Sequence, residues 1–428
     1  MDWPILRTDS PMALRHINSR YNNADSEQSA LHLLYALYPD WEHSEGSVEF
    51  VRFTDGITNT LLKAVKKRPG LSKEQIEQDA VLLRAYGKGT DVLIDRERET
   101  RSHSLLASRG LAPRLLARFE NGLLYRFIAG DVCSPEDLRR PQIYRAVAKR
   151  LAQWHSTLPI SAISSTKRPE GLNGSTEHGS PATTRPTPNL WTVIQAWIDA
   201  LPAQTQQDKD RIQTLKAELV ELSSKLGQTP GLDGNDYVFS HCDLLSGNVI
   251  VTDSASNDFS VDFIDYEYAT PAPAAFDIAN HLAEWGGFDC DYNALPTRSQ
   301  RREFLTEYLR SYRTFAPSLS IPSSSQPSTS EPQRENSSTT ASEPAPEFQQ
   351  ELSQLMDQVD LFRGVPGFYW GIWALIQAQI SQIDFDYASY AEVRLGEYWA
   401  WKDASSNGGD KAAGKETPLR ERRWAQEE

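Results

Sequence analysis

Short apolar runs separated by turn residues dominate the first third of the chain. They predict β-strands in three segments, with bends at Asp55-Gly56 and Asn121-Gly122. These segments are Val48–Val65, Ala80–Tyr86 and Arg114–Phe127. Between the second and the third, Asp95–Arg109 has the pattern of a helix that ends before Gly110. The pattern therefore predicts a mostly β unit that contains one helix.

From Pro141 onward the apolar positions recur with the spacing of a helix. Helices are predicted at Tyr144–His155, Leu190–Leu201 and Ile212–Leu226. Three short apolar runs then predict a strand, a loop and a hairpin: Tyr237–Ser240, Asn248–Val251 and Phe259–Ile264. The remainder, Phe276–Trp401, is mainly helical in pattern. A small β-rich N-terminal lobe followed by a larger, mainly helical C-terminal lobe is the outline of an α+β, two-lobed, protein-kinase-like fold.

Two segments interrupt these patterns, residues 161–188 and 317–346. Both are rich in Ser, Thr and Pro, and neither has enough apolar side chains to offset the entropy of ordering. We expect them to be disordered insertions in the C-terminal lobe. The predicted organisation is a helical N-terminal extension (1–47), an N-terminal lobe (48–130), a C-terminal lobe (131–402) and a flexible tail (403–428).

The composition narrows the classes of partner. The formal net charge of -14 disfavours binding to nucleic acid or to anionic lipid. The cysteines Cys133, Cys242 and Cys290 are odd in number and widely separated, which disfavours a disulfide framework and a thiolate metal site. The sequence shows no signal-peptide pattern and no apolar stretch of bilayer length. We expect a soluble cytoplasmic protein without stable membrane insertion.

The strongest chemical signal is His241-Cys242-Asp243, with Asn248 five positions after the Asp. The spacing H-x-D-x-x-x-x-N is that of the protein-kinase catalytic loop. In such a loop a carboxylate orients the acceptor hydroxyl and takes its proton, which suits Asp243. An amide oxygen is a suitable ligand for Mg²⁺, which suits Asn248. The motif is short, and a chance match around a buried structural Asp is the alternative explanation.

A second acidic element follows at hairpin distance, within Phe263–Tyr268. Asp265 ends an apolar strand, where it can hold Mg²⁺ on the β- and γ-phosphates of ATP, and Glu267 is an additional candidate ligand. Magnesium neutralises the charge that develops on the phosphates. Because kinases need both halves of this arrangement, the strand Asp favours the functional interpretation of Asp243 and Asn248.

Phosphate-binding groups are predicted in the N-terminal lobe, which would then be the ATP-binding lobe. Gly56 lies between two predicted strands, where backbone N–H groups can approach phosphate oxygens, and Thr58 and Asn59 add donors. Arg84 on the next strand could reach the nucleotide phosphates as the lysine does in protein kinases, with Glu99 as its partner. Taken alone, an ordinary hairpin turn and a surface ion pair are the commoner explanations.

With these motifs in place, the chain resembles the choline/ethanolamine kinase family. The similarity runs from about Val48 to Lys402, apart from the two insertions. The blocks that carry it are Asp55–Asn59, Val81–Gly87, His241–Asp243 with Asn248, Ile264–Tyr268, Phe276–Trp285, Trp370–Ala378 and Tyr390–Ala391 with Arg394. The resemblance implies a fold similar to that of protein kinases, and ATP- and Mg²⁺-dependent phosphoryl transfer to the hydroxyl of a small amino alcohol, choline or ethanolamine.

The resemblance also implies a site for the substrate cation. The side chains that would surround it are Glu284, Trp285, Trp370, Trp373 and Tyr390. Trp370 and Trp373 lie three apart on a predicted helix, so both point the same way, and aromatic faces attract an ammonium group. Packing in the core is the commoner fate of helical tryptophans and is the alternative.

Two stretches favour ethanolamine over choline as the substrate. Gly286–Tyr292 is small and acidic, and with Ile383–Tyr387 it looks like the ethanolamine branch, whereas the choline branch tends to place tyrosines after Glu284-Trp285. A primary ammonium has three N–H donors and needs acceptors as well as aromatic faces. Dual specificity stays open because methyl-sized differences give limited discrimination. Arg126 stands where the family often has Glu near the interlobe connection, which leaves the adenine contact open.

The sequence therefore predicts a kinase that makes phosphoethanolamine and ADP, the first step of phosphatidylethanolamine synthesis by the CDP-ethanolamine route. A choline kinase or a dual-specificity kinase is the first alternative. An aminoglycoside kinase does not fit the Asp277–Glu284 block, and the protein-kinase motifs V-A-I-K and D-F-G are missing from the sequence. An inactive ATP-binding scaffold is the alternative from a different class. A homodimer is compatible with the sequence.

Overall fold

The computed structural model describes residues 14–53, 59–164, 185–252, 259–316, 346–406 and 417–428. Gly56, Thr58 and most of the two predicted insertions lie outside these ranges. Within them, the chain forms a sheet-containing N-terminal lobe and a larger helical C-terminal lobe. Two clusters of buried apolar side chains form the core of these lobes. The two-lobed α+β fold class predicted from the sequence is confirmed.

The N-terminal lobe is built on a mixed sheet with the strand order β1-β5-β6-β4-β3-β2. Its strands are β1 (His16–Ile17), β2 (Val48–Phe53), β3 (Asn59–Lys66), β4 (Val81–Tyr86), β5 (Leu115–Phe119) and β6 (Gly122–Arg126). The pairing of β1 with β5 is parallel, and the other pairs are antiparallel. The three strand segments predicted from the apolar runs are therefore confirmed.

The described residues before Val48 belong to this lobe instead of forming a separate extension. They contain two helices, α1 (Ser26–Leu37) and α2 (Asp40–His43), as well as β1. Leu33, Leu34 and Trp41 are buried in the same apolar cluster as β3 and β4. The apolar face of α1 is thus part of the core of the N-terminal lobe.

Two further helices complete the N-terminal lobe, α3 (Lys73–Gln78) and α4 (Arg96–Ser108). The carboxylate of Asp95 caps α4 by accepting hydrogen bonds from the backbone N–H groups of Glu97 and Arg98, at 3.1 and 3.0 Å. This fixes the start of α4, and the helix then carries Glu99 toward Arg84 of β4. Leu106 of α4 is buried in the core of the C-terminal lobe, so α4 connects the two lobes.

The C-terminal lobe is mainly helical, as the sequence predicts. Its helices include α5 (Pro141–Thr157), α6 (Leu190–Asp199), α7 (Gln206–Leu226), α8 (Ala274–Ala283), α9 (Arg298–Phe315), α10 (Pro346–Phe362), α11 (Val365–Ile380) and α12 (Tyr387–Ser406). Within the described ranges, no helix has the length and apolar character needed to cross a membrane.

Small antiparallel sheets carry the predicted catalytic segment. Their strands are β7 (Asp131–Val132), β8 (Val238–Ser240), β9 (Val249–Thr252), β10 (Ser260–Phe263) and β11 (Thr270–Ala272). They pair in the orders β7-β9-β10 and β8-β11. The run Asn248–Val251, predicted as a loop, is for the most part strand β9, because its apolar side chains pair with β10.

Helices α11 and α12 pack closely because α11 has glycine where the two helices meet. A Cβ atom at Gly367 would lie 2.5 Å from the carbonyl oxygen of Arg394, and one at Gly371 would lie 2.7 Å from the nearest atom of α12. Both distances are too short for a side chain without a shift of the helices. The close contact places aromatic residues of the two helices together, for example Trp373 and Tyr387, whose ring centroids are 5.7 Å apart.

The structure corrects the prediction of a flexible tail at 403–428. Residues 417–428 are described and contain the helix α13 (Leu419–Ala425). Trp424 is buried, its indole N–H donates to Oδ1 of Asp360 at 2.7 Å, and the Arg301 guanidinium lies 4.1 Å from its ring centroid. The prediction is wrong here because the charged side chains of this segment have buried partners elsewhere in the fold.

Candidate active site

The predicted catalytic loop runs from β8 to β9. Cys242 has a φ angle of 64°, in the left-handed region, so the backbone turns sharply just before Asp243. The amide nitrogen of Asn248 donates to the main-chain carbonyl of Asp243 at 2.7 Å and to its carboxylate at 3.2 Å. The amide oxygen of Asn248 is then the atom suited to a metal. The structure therefore brings Asp243 and Asn248 together, as predicted.

A buried carboxylate on α8 holds this loop in place. Asp277 is 0% exposed and accepts hydrogen bonds from the backbone N–H groups of His241 and Cys242, both at 2.8 Å. It also lies 3.0 Å from Nε2 of His155, whose Nδ1 is 2.8 Å from the hydroxyl of Tyr308. Burial raises the pKa of Asp277, but its interactions with His155, His241 and the backbone N–H of Cys242 together outweigh burial and hold the pKa below its ordinary value. Sequence reasoning gave Asp277 no role of its own.

The second acidic element is joined to the catalytic loop through the histidine of the motif. Nε2 of His241 lies 3.0 Å from the carbonyl oxygen of Ile264, which immediately precedes Asp265. Asp265 has a φ angle of 64°, and 28% of its side chain is exposed. The backbone turn at this residue lets the carboxylate reach the space between the lobes, where Arg84 of β4 contacts it.

Negative charge is concentrated around Asp243. The pKa of its carboxyl is raised well above the ordinary value, chiefly by burial and then by the charges of Asp265 and Glu284. A divalent cation held by Asp265 and Asn248 would offset this charge. In the described ranges no group of three acidic, His or Cys side chains forms a complete metal cage. Because Mg²⁺ is usually held by one or two carboxylates together with water and substrate phosphates, the residues present fit this ion.

Arg84 lies at the centre of a buried ion cluster between the lobes. Its Nη2 is 2.5 Å from Oε2 of Glu267 and 2.7 Å from Oδ1 of Asp265. Its Nη1 is 3.8 Å from Oε1 of Glu99. The predicted Arg84–Glu99 pair is present, but the two carboxylates of the C-terminal lobe are closer. Arg84 is thus held beside the candidate metal ligand, where a phosphate group could also reach it.

Glu267, predicted as an additional metal ligand, is engaged in this ion cluster. Its Oε2 lies 3.2 Å from Nη1 of Arg96 and 3.2 Å from Nδ2 of Asn59. The Glu267 side chain is 1% exposed, against 28% for Asp265, so the geometry favours Asp265 as the carboxylate for a metal. Sequence reasoning missed Arg96, which also contacts Glu99 at 3.0 Å. A run of charges at the start of a helix gave no sign that this one joins the ion cluster between the lobes.

A cleft beside the interlobe connection is a candidate site for the nucleotide base. Its volume is about 570 Å³, and it is lined by Lys73, Glu74, Glu77, Gln78, Phe127 and Ala129. Phe127 stacks on Phe53 with ring centroids 6.2 Å apart, and Nζ of Lys63 lies 4.1 Å from the Phe127 centroid. The preceding residue, Arg126, instead donates to the carbonyl oxygen of Asp79 at 2.7 Å. The described lining of this cleft therefore includes Phe127 but not Arg126.

Trp370 and Trp373 of α11 lie in one aromatic cluster, with ring centroids 5.5 Å apart. Their indole N–H groups donate to Oδ1 of Asn280 at 2.9 Å and to the hydroxyl of Tyr268 at 2.8 Å. Because these N–H groups are satisfied, the ring faces are the groups suited to a cation. The cluster continues through Tyr387, Tyr390, Phe385 and Phe288. Sequence reasoning did not single out the two phenylalanines, which are among the exposed apolar residues.

Glu284 and Trp285 are adjacent in sequence but occupy different surroundings. The Glu284 carboxylate lies 3.1 Å from Nη2 of Arg394, and its pKa is raised by burial in spite of this cation. Trp285 is 0% exposed, and its indole N–H donates to Nε2 of His281 at 3.3 Å. Its ring packs 5.6 Å from that of Tyr144. The structure thus places Trp285 in the core of the lobe, and its predicted contact with the substrate cation is not supported.

Sites that transfer a phosphoryl group from a nucleotide to a hydroxyl combine a paired Asp and Asn, a facing carboxylate and a cation from the other lobe. This arrangement defines the class as a phosphotransferase with a kinase-like fold. A profile of the choline/ethanolamine kinase family matches residues 50–399. The chain therefore belongs to the choline/ethanolamine kinase family.

Individual relatives agree with this assignment. Mouse ethanolamine kinase 2 is 34% identical over 378 residues, which cover 87% of this chain and 80% of the relative. Human ethanolamine kinase 1 is 31% identical over 385 residues, which cover 88% and 72%. The solved structure of Plasmodium vivax ethanolamine kinase has a TM-score of 0.61 at 24% identity, covering 87% of this chain and 89% of that one. Choline kinase from Cryptosporidium parvum has a TM-score of 0.60 at 21% identity, covering 89% and 97%. The structural likeness confirms the fold, and membership of the family makes the protein a kinase that uses ATP.

Proposed function

We propose that this protein transfers the γ-phosphoryl group of ATP to the hydroxyl of ethanolamine, giving phosphoethanolamine and ADP. The observation that carries the proposal is the position of Asp243. Its carboxyl is close enough to both Asp265 and Glu284 for their charges to raise its pKa. A base at this point interacts both with a carboxylate suited to the nucleotide-bound metal and with a carboxylate suited to an ammonium group.

Each side chain has a role that follows from its surroundings. Asp243 accepts the proton of the substrate hydroxyl, and its raised pKa favours proton uptake. The amide N–H of Asn248 fixes the orientation of that carboxylate. Arg84 supplies positive charge for the phosphates from the opposite lobe. Mg²⁺, when bound by Asp265 and Asn248, neutralises charge on the transferred phosphoryl group.

The choice of ethanolamine rests on the acceptors near the aromatic cluster. Its primary ammonium has three N–H donors, for which the Glu284 carboxylate is a charged acceptor, and the faces of Trp370 and Trp373 add cation–π attraction. The relatives named ethanolamine kinases support this choice. Choline is the second candidate, because the exposed rings of Phe288 and Phe385 could meet a methylated ammonium without a hydrogen bond.

The experiment that tests the proposal is a comparison of kcat/KM for ethanolamine and choline, with and without Mg²⁺. We expect Mg²⁺-dependent turnover that favours ethanolamine. A preference for choline would retain the mechanism and reject the substrate. Turnover of neither amine by folded protein would favour an inactive ATP-binding scaffold. In that case a thermal shift with ATP shows whether the nucleotide still stabilises the protein, and whether Mg²⁺ adds to the effect.

We further propose a cytoplasmic location, a homodimeric state and a role at the start of the CDP-ethanolamine route. The three cysteines are free thiols in the structure, which suits a reducing compartment. Cell fractionation tests the location, and light scattering of the purified protein tests the homodimer. Loss of cellular phosphoethanolamine on deletion of the gene is the result expected from the proposed route.

A further inference from the structure

The C-terminal helix α13 packs against the segment that follows Glu284 and Trp285. Nε of Arg423 donates to the carbonyl oxygen of Leu295 at 2.9 Å, and the carbonyl oxygen of Gln426 accepts from the backbone N–H of Arg298 at 2.8 Å. The stretch between these contacts and Glu284 contains Gly286–Tyr292. Helix α13 therefore braces the segment that contains the stretch resembling the ethanolamine branch.

A chain of buried ion pairs leads from α13 to that site. Nε of Arg420 lies 3.8 Å from Oε2 of Glu397, and the same oxygen lies 3.3 Å from Nε of Arg394. Arg394 in turn lies 3.1 Å from Oε1 of Glu284. All four residues are at most 6% exposed. Two arginines and two glutamates therefore alternate from the C-terminal helix to the carboxylate proposed to meet the substrate ammonium.

Other contacts anchor the outer end of this chain. Nη2 of Arg420 donates to the carbonyl oxygen of Arg363 at 2.6 Å, and the Arg363 side chain contacts Glu421 at 2.9 Å. These contacts fix α13 against the junction of α10 and α11, and α11 carries the tryptophans of the aromatic cluster. The position of Arg420 is thus set by the same helices that form the substrate site.

Charge balance makes Arg420 important for Glu284. With Arg420 present, three buried carboxylates, those of Glu284, Glu397 and Glu421, face the guanidinium groups of Arg394, Arg420 and Arg363. Without it, two guanidinium groups face three carboxylates, and one buried negative charge is left uncompensated. Such a charge is costly, so either Arg394 moves toward Glu397 or one carboxylate takes up a proton. Both responses change the carboxylate that the ammonium of the substrate would meet.

We propose that α13 is part of the amino-alcohol site and that Arg420 is a positioning residue, which acts on Glu284 through Glu397 and Arg394. This inference rests on the proposed function. Arg420 does not touch the substrate in this scheme. Its effect is carried by one packed network of charges, which is a physical route for coupling between separate positions.

The test compares Arg420→Gln with wild type. We expect the KM for ethanolamine to rise about tenfold while the KM for ATP stays within about twofold, because couplings along such networks are of that size. Arg422→Gln is the matched control, since Arg422 lies on the exposed face of the same helix. Arg420→Lys keeps the positive charge and should restore most of the ethanolamine affinity.

Two results would overturn the proposal. One is an unchanged ethanolamine KM in folded Arg420→Gln protein. The other is a parallel loss of ethanolamine affinity, ATP affinity and kcat, which indicates a role in stability alone. If Arg420→Gln fails to fold, Glu397→Gln breaks the same chain from the other side, and the same two results apply to it. Failure of the proposed function is distinct, because wild type itself would then turn over neither ethanolamine nor choline.

Discussion

Asp277→Asn is the substitution that most directly tests how the catalytic loop is held. The carboxylate accepts two backbone N–H groups at 2.8 Å and contacts His155 at 3.0 Å, all without exposure to solvent. Asparagine has nearly the same shape but one acceptor oxygen and an NH₂ group. At least one of the N–H groups of His241 and Cys242 would then face a donor in place of an acceptor.

The magnitude follows from these contacts. Losing one charge-assisted hydrogen bond costs about 1.5–3 kcal/mol, and leaving a buried N–H unsatisfied costs about 1–3 kcal/mol. Removing the charge recovers part of the desolvation cost of a fully buried carboxylate, so we expect a net loss of roughly 3 kcal/mol in the free energy of unfolding. The left-handed conformation of Cys242 is held by the same contacts, so Asp243 should also shift. A shift of this kind can cost about 100-fold in kcat.

The assay measures urea unfolding, kcat and the KM for ATP in the same preparation. Asp357→Asn is the control, because Asp357 is exposed on α10. We expect a lower urea midpoint and a much lower kcat for Asp277→Asn, with ATP affinity nearly retained. A kcat within about threefold of wild type, with less than about 1 kcal/mol of destabilisation, would refute the reasoning that this carboxylate positions the loop.

Three further predictions follow from the same structure. Asp243→Asn should lower kcat by more than about 10²-fold with nearly unchanged ATP affinity, since it removes the base; kcat within tenfold of wild type would reject that role. Burial lowers the pKa of both His103 and His281 to about 4. As the pH falls below about 6.5, the ordinary pKa of histidine, the unfolded chain binds protons that the folded chain does not. The free energy of unfolding should therefore fall by roughly 2 kcal/mol per histidine between pH 7 and 5. Urea midpoints that stay equal at the two pH values would contradict this. Deletion of residues 323–344, which lie outside the described ranges, should leave kcat/KM within about twofold of wild type, because their composition is that of a passive insertion. A large loss of activity would show that the insertion takes part in function.

Local sequence patterns were sufficient to predict the strands and the catalytic loop. The alternation of apolar and turn residues is a property of contiguous sequence, and the predicted strand segments match β2 to β6. The residues of H-x-D-x-x-x-x-N are also contiguous, so Asp243 and Asn248 could be paired before any tertiary contact was known. Asp265 could be placed because a hairpin joins it to the loop.

Long-range partners of buried charges could not be found in this way. Asp277 acts on a loop from another element, and a lone Asp in a helix carries no local sign of that contact. Helix α13 has a charged sequence, and the burial of Trp424 depends on Asp360 of α10. The family resemblance placed Trp285 beside Glu284 at the substrate cation. Successive residues of a helical turn differ by about 100° in direction, so the two side chains meet different surroundings.

The position of Glu267 has a consequence for how the protein unfolds. This one carboxylate contacts Asn59, Arg84 and Arg96, which come from three separate elements of the other lobe. If either lobe opened alone, buried charges would lose their partners at a cost on the order of 3–5 kcal/mol. The lobes are therefore expected to melt cooperatively, as a single thermal transition, although the chain that links them along the sequence is short.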